Sequence, residues 1–357
     1  MTATGVRVVV VGAGAIAARV HLPYLVADPR VRDVLVSDND PEAVERSVRT
    51  FGVEAHPGDL ASSGAGLAVI CTPPHSHAAL ITEALAAGMD VVCEKPLVTS
   101  AVAATEIEQM SRKLSRRVFT CYTNRFRADV ERLRQVIREG AIGPVHEMSA
   151  TWSRRSGIPG TPGGWESGVL WDLGAHLVDL MLWCTGWSGR AVALATGVRP
   201  PHAGGSATSD WYQNPGAAHR EPEVSFQTVN GLAQIGAGTM RMRASWNDAV
   251  AADSVTVLAA GSAGHAELRT VFGFSPARQT IAGPSLRLFH QDHGWRELMA
   301  GQLRAPTEYH RQMDQALRQD CADDLRSAVR SVSLCDAFAQ SLETGKAVVT
   351  DVDEEFE

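Results

Sequence analysis

Residues 8–25 read VVVVGAGAIAARVHLPYL, and this stretch narrows the possible folds more than any other part of the chain. Four consecutive valines form a strand too apolar to be exposed on either face, which is the signature of a strand buried in a parallel sheet. The small residues that follow sit at Gly12, Gly14 and Ala17, a G-x-G-x-x-A spacing between strand and helix. Each small residue answers a physical need. Gly12 permits the tight turn, Gly14 lets backbone approach a pyrophosphate, and Ala17 allows close packing of the helix on the sheet. Backbone N–H groups around Ala15 and Ile16 then open the helix toward the phosphates, assisted by its dipole. Glycine-rich turns also serve plain packing, so the motif needs a second signal. Asp38 supplies it: it follows the strand-like VLVS and lies 21 positions after Ala17, where an acid hydrogen-bonds the adenine ribose hydroxyls of NAD. Its neighbour is Asn39 rather than Arg, so a 2'-phosphate would meet a carboxylate with no adjacent guanidinium. The expected cofactor is therefore NAD in preference to NADP.

The glycine turn begins a longer alternation. Strand-like segments at 7–11, 34–37, 67–71, 90–93 and 117–122 are separated by alanine-rich helical stretches, the pattern of a doubly wound parallel sheet in an α/β Rossmann domain. We expect that NAD-binding domain over residues 5–123. From 124 to 357 the pattern changes to helices near 126–139 and 168–184 among strands such as 145–154, 239–246 and 255–259. This predicts an α+β C-terminal domain with an open, mostly antiparallel sheet that serves substrate binding and oligomerisation. Residues 197–222, rich in Pro, Gly, Ala and Ser, read as a long loop, and 307–345 return to helix, with capping signals at Thr307 and Gly345.

Bulk properties exclude several classes. A chain of 357 residues suits two domains rather than one core. A net charge of -7 leaves no basic footprint for nucleic acid. No apolar run is long enough for a membrane span, and the start lacks a secretory leader, so a cytoplasmic protein is expected. Cys71, Cys93, Cys121, Cys184, Cys321 and Cys335 occur singly, without a C-x-x-C pair, and read as reduced thiols.

A second stretch poses a chemical question. GVLWDLGAHLVDLMLWCTG, residues 168–186, is apolar on most sides of a helical wheel, yet carries Asp172, His176 and Asp179 at i, i+4 and i+7. Burying two carboxylates and an imidazole is costly unless they are paired or border a cavity. Read by itself, the stripe fits a core hydrogen-bond network or the wall of a pocket, and two i, i+4 ligands could also begin a metal site.

Two further segments bear on that choice: ICTPPHSHAALITEALAAGMDVVCEKPL at 70–97 and GGWESGVLWDLGAHLVDL at 163–180. With GAGAIA they resemble the Gfo/Idh/MocA family of oxidoreductases, and the likeness continues in YTNRF at 122–126, AIGPV at 141–145, GSAGHAEL at 261–268 and SLETGKAV at 341–348. The resemblance implies a nicotinamide cofactor between a Rossmann domain and an open-sheet domain. It also implies dimers or tetramers packed through the sheets, and substrates among sugars, cyclitols, nucleotide sugars and related polyols. Carried onto this chain, it makes Lys95 the catalytic lysine and Asp172 with His176 the substrate-binding and acid/base pair. Thr72, Pro73, His77 and Glu94 would lie near the nicotinamide half of the cofactor, Asn124 and Arg125 would lead toward the site, and Asp179 would brace the helix.

The expected chemistry is oxidation of a secondary hydroxyl to a ketone, or the reverse, with His176 as general base because imidazole titrates close to working pH. Lys95, at the carboxyl edge of the sheet, would stabilise a developing alkoxide, and a cis bond at Pro96 would help to aim it. Hydride transfer of this kind needs no Lewis acid, so no metal is expected. TWSRRSGIPGTPGGW at 151–165 adds Trp152, Arg154 and Trp165 as candidate substrate contacts: arginine for a phosphate or carboxylate, tryptophan for the C–H face of a sugar. Sugar phosphates, nucleotide sugars and aminoglycoside-type sugars stay open, and relatives in antibiotic-sugar pathways oxidise a ring hydroxyl before amination. The same residues allow two rivals, a redox-neutral NAD-dependent glycosidase and a non-catalytic NAD-binding regulatory protein.

Overall fold

The computed structural model of the protein describes residues 5–155, 168–199, 226–273, 283–300, 308–318 and 324–352. The chain divides into two compact units, one of residues 1–122 with 309–329 and the other of 123–308 with 330–357.

In the first unit the alternation seen in the sequence becomes β1 (Val6–Val11), α1 (Leu22–Ala27), β2 (Val31–Ser37), α2 (Pro41–Phe51), β3 (Glu54–Ala55), β4 (Leu67–Ile70), α3 (His77–Ala86), β5 (Asp90–Cys93), α4 (Ala101–Leu114) and β6 (Val118–Thr120). The strands form one six-stranded sheet in the order β3-β2-β1-β4-β5-β6, every pair parallel. That is the Rossmann order, and its reversal point, where such sheets take ligands, falls between β1 and β4. Val8, Val9 and Val10 are wholly buried, as are Ala68, Val69 and Ile70 beside them, which explains why these strands carry no polar alternation.

The second unit holds α5 (Ala128–Arg138), β7 (Val145–Ser153), α6 (Ala175–Thr185), β8 (Arg190–Val198), β9 (Thr228–Ile235), β10 (Gly238–Ser245), β11 (Ser254–Gly261), β12 (Gly264–Thr270), β13 (Ser285–His290) and β14 (Gly294–Ala300). Two late helices, α7 (Glu308–Arg318) and α8 (Asp324–Thr344), precede a last strand, β15 (Val348–Asp351). The nine strands run β14-β13-β12-β11-β7-β10-β9-β8-β15, antiparallel at every junction except β7 with β10. The sheet is thus open and mostly antiparallel. One face is buried: β8 alternates buried alanines with exposed Val192 and Leu194, and Ser341 of α8 accepts from the Ala195 N–H at 2.9 Å on the covered side.

The late helical region contributes to both units. Met313 and Ala316 of α7 join the Rossmann core with Val8, Val10 and Phe119. Thr120, on the edge strand β6, donates its N–H to Asp324 at 2.7 Å, and its carbonyl accepts from Gln312 at 2.6 Å. Side chains far along the chain thereby satisfy edge-strand backbone groups that would otherwise be open to another strand. Gly345 has φ +68° and donates to the Ser341 carbonyl at 2.8 Å, the helix cap its position suggested. Thr307, Cys321 and most of the 197–222 stretch lie outside the described residues; Gly197 and Val198 themselves end β8.

Candidate active site

The glycine turn forms as its residue types require. Gly12 has φ +94°, and a Cβ there would come within 2.8 Å of the Cys71 carbonyl carbon, so only glycine fits. At Gly14 a Cβ would meet nothing within 4 Å, which leaves the space over the turn open to a ligand. Ala17 is fully buried against the sheet. Asp38, at the end of β2, reaches back to the turn: one carboxylate oxygen accepts the Ala13 N–H at 2.6 Å and the other the Asp40 N–H at 2.8 Å. Ala15 and Ile16 are partly buried at the helix start, and Asn39 is exposed beside Asp38. An open space over a glycine turn, a helix N-terminus and an acid at the next strand suit a dinucleotide.

The carboxyl ends of β4 and β5 are tied together by His77. It is fully buried, with Nδ1 2.9 Å from the Pro96 carbonyl oxygen and Nε2 2.8 Å from that of Thr72. Burial pushes its pKa down, against the pull of those carbonyls. His77 is therefore a brace that fixes the Thr72–Pro73 turn against the segment after Lys95, and Ser76 adds a hydroxyl contact to Thr72 at 2.7 Å. The Lys95–Pro96 bond is cis, and Lys95 itself is partly buried.

The structure adds a residue that sequence reasoning passed over. His21, 3% exposed at the entry to α1, places Nε2 2.7 Å from a Glu94 carboxylate oxygen, while the other Glu94 oxygen faces the Lys95 N–H at 3.3 Å. The helix begun by the glycine turn is thus linked to the Glu-Lys-Pro segment. Its only sequence signal was a lone histidine in an apolar helix start. Cys121 lies near this pair, its ligand atom within 4.8 Å of theirs. Burial pushes the Cys121 thiol pKa up.

In the second unit Asp172 falls in a π-helical turn, Leu170–Gly174, that precedes the α-helical part of α6. On an unbroken α-helix Asp172, His176 and Asp179 would share one face, and the wider turn changes that phase. Their partners separate them. Asp172, 1% exposed, accepts from Trp246 Nε1 at 2.7 Å and faces Arg154 at 3.3 Å through the same oxygen. Asp179 turns to the other side, where the Arg125 guanidinium grips it bidentately and Ser331 donates to it at 3.0 Å. Burial pushes the Asp179 carboxyl pKa up, and Arg125 opposes the shift. Asp179 braces the helix, as the resemblance implied. His176 is partly buried, with its ring 5.8 Å from that of Trp152.

The remaining expected contacts divide in the same way. Trp152, only 3% exposed, packs edge-on against Phe272 with ring centroids 5.4 Å apart, which places it in the wall behind His176. Asn124 is buried and Arg125 is committed to Asp179. Arg154 meets Asp172 directly, and Trp165 lies outside the described residues. Trp246, at 0% exposure, is the partner of Asp172 that sequence reasoning missed; the clue was that a buried indole N–H ordinarily finds an acceptor.

A Rossmann sheet with an open glycine turn and an acid at β2, followed by an open-sheet domain with a buried Asp172 and a partly buried His176 on one helix start, defines a nicotinamide-dependent oxidoreductase. The chain belongs to the Gfo/Idh/MocA family: residues 6–122 match the oxidoreductase family's NAD-binding Rossmann fold and 130–264 match the GFO/IDH/MocA C-terminal domain. Among its relatives is a protein provisionally assigned as a UDP-kanosamine synthase oxidoreductase subunit of Amycolatopsis mediterranei, 29% identical over 77% of this chain and 78% of that protein. The D-glucoside 3-dehydrogenase of Escherichia coli is 28% identical over 52% of this chain, an alignment that spans only 56% of that enzyme. An oxidoreductase domain protein from Kribbella flavida shares the fold, with a TM-score of 0.76 and 20% identity over 98% of this chain and 100% of its own. Among the described residues no helix is long and apolar enough to cross a membrane.

Proposed function

We propose that this protein is an NAD-dependent dehydrogenase that interconverts a secondary hydroxyl and a ketone on a sugar or cyclitol. The observation that carries the reading is the buried Asp172 carboxylate, held by the Trp246 N–H and the Arg154 guanidinium four residues before the partly buried His176. A buried carboxylate four residues from a partly buried imidazole is costly for core packing alone. Bound NAD would supply the hydride acceptor. His176 takes the hydroxyl proton, a role worth about 10²–10⁴ in rate. Asp172 orients that imidazole or a neighbouring substrate hydroxyl, and Lys95 stabilises the developing negative oxygen. His21, Glu94 and His77 hold the segment that carries Lys95.

NAD is preferred to NADP in this reading because both Asp38 oxygens already bind backbone N–H groups around the glycine turn. A 2'-phosphate would have to face that fixed carboxylate. We assign residues 5–123, on which 309–329 pack, to cofactor binding and the rest of 124–357 to substrate binding and assembly. The five described cysteines are unpaired, in keeping with a reducing cytoplasm. The outer face of the open sheet exposes Val192, Leu194, Leu232 and Val349 at 41–52% on neighbouring strands, and a second copy of this chain is the occupant we propose for it.

The test is formation of reduced nicotinamide from NAD or NADP with sugars, cyclitols, sugar phosphates and amino sugars. Substrate-dependent NADH that falls by at least about a hundredfold in Lys95→Ala and in His176→Ala supports the reading. Equal turnover in these variants refutes it.

A further inference from the structure

The segment that carries Lys95 is held from two sides, and the two histidines that hold it do so differently. His77 commits both ring nitrogens to carbonyl oxygens: Nδ1 lies 2.9 Å from that of Pro96 and 3.2 Å from that of Leu97, and Nε2 lies 2.8 Å from that of Thr72. A ring engaged with backbone on both edges is a structural tie. His21 uses one nitrogen. Its Nε2 lies 2.7 Å from Glu94 Oε1, whereas its Nδ1 is buried with no hydrogen-bond partner among the described residues. The other Glu94 oxygen meets the Lys95 N–H at 3.3 Å, and the Glu94 N–H is fixed to the Ile70 carbonyl at 2.9 Å. All the hydrogen bonding of this buried imidazole is thus directed at the carboxylate next to Lys95 in the chain.

Local rules place His21. Leu22 donates its N–H to the Ala17 carbonyl, so Ala17–His21 is a π-helical turn, an insertion that recurs at functional sites. Pro23, two residues on, has no N–H for the carbonyl four residues before it, so an unbroken α-helical ladder does not pass through this stretch. The helix itself begins where Ala18 donates to the Gly14 carbonyl at 3.0 Å, directly after the open glycine turn. One helix start therefore presents its backbone to the dinucleotide turn and the last side chain of its π-turn to Glu94.

We infer that His21 is a positioning residue for the reaction: through Glu94 it sets where the Lys95 amine sits relative to the cofactor turn, and its effect on turnover passes through Lys95. The inference rests on the sugar-dehydrogenase reading above, and the experiment separates the two. His21→Gln keeps an amide near the place of Nε2, able to donate or accept, and His21→Asn carries the same amide one methylene short, where Nδ1 stood. His21→Leu, of similar volume and without polar atoms, replaces His21→Asn should the latter not fold. Because a misplacement of about 1 Å can cost on the order of a hundredfold in rate, kcat is expected to fall at least about tenfold in His21→Asn. In His21→Gln it stays within about threefold of wild type, with KM for the sugar and the calorimetric Kd for NAD within about threefold in both variants. In a Lys95→Ala background the Asn substitution is expected to change the residual rate less than about twofold, which a general loss of folded structure would not allow. A second readout needs no turnover. Lys113 and Lys346 are the other lysines of the chain, so trace acetylation read by peptide mass spectrometry reports Lys95 against internal references. Since an amine's reactivity follows its neighbours, its relative rate is expected to shift at least about threefold in His21→Asn and to return in His21→Gln. Unchanged kcat and labelling in His21→Asn, an equal loss in His21→Gln, a change in KM or Kd that accounts for the whole effect, or an undiminished effect in the Lys95→Ala background each overturn the inference. Turnover with labelling indifferent to His21 sinks only the positioning role; shifted labelling without any NADH sinks only the dehydrogenase reading.

Discussion

Trp246 and Asp179 show how differently buried polar groups on one helix are used. The Trp246 N–H meets the Asp172 oxygen at 2.7 Å with both residues at most 1% exposed, so the bond is charge-assisted and short. Trp246→Phe keeps most of the ring volume and removes the donor. It is expected to lower kcat about tenfold, with KM for the sugar within about threefold, because the carboxylate loses orientation rather than the pocket its shape. Steady-state kinetics on the wild type and variant check this. Asp179 lies 7 residues further along and is held instead by Arg125 and Ser331. Asp179→Leu strands the Arg125 guanidinium in the core and should cost about 3–5 kcal/mol in urea unfolding. Sequence periodicity treated the two aspartates alike; their partners, Trp246 just past β10 for one and Arg125 with Ser331 of α8 for the other, distinguish them.

At the scale of elements, two helix entries decide the chemistry. The glycine turn after β1 has a strict steric requirement: at φ +94° and 2.8 Å from the Cys71 carbonyl carbon, Gly12 admits no side chain. Gly12→Ala is expected to cost about 1–3 kcal/mol in strain and to weaken NAD binding at least tenfold by calorimetry, since the displaced turn faces the pyrophosphate. This entry was legible because each residue of the motif is chosen by a local rule. The start of α6 was not. Its Leu170–Gly174 segment is a π-turn packed against β10, where a Cβ on Gly174 would lie 3.1 Å from Leu170 and 3.5 Å from Met242. Nothing in LWDLG distinguishes a π-turn from an α-turn, because the choice is made by the strand it meets.

For the whole molecule, the outer sheet face carries the remaining prediction. Leu194 pairs across strands with Leu232, and Val192 with Val349, all more than two-fifths exposed. A groove of about 460 Å³ runs beside them, bordered by Thr196, Asn230, Arg241 and Arg243. If a second copy covers this face, Leu232→Arg should leave the circular dichroism spectrum unchanged and convert the species seen by sedimentation velocity to a monomer. A wild-type monomer, or a variant that still dimerises, refutes that assembly.

The amino-acid sequence by itself determined the Rossmann half of this protein, its parallel order of strand and helix, the cofactor turn with Asp38, and the residue types of the Lys95, Asp172 and His176 set. These depend on period, on glycine stereochemistry and on short motifs, all of them local along the chain. Tertiary structure alone decided that His21 reaches Glu94, that Arg154 and Trp246 converge on Asp172, and that α7, from near the end of the chain, packs into the Rossmann core. Those contacts join residues from 18 to about 200 positions apart, where no spacing rule operates and only the folded chain brings the partners together.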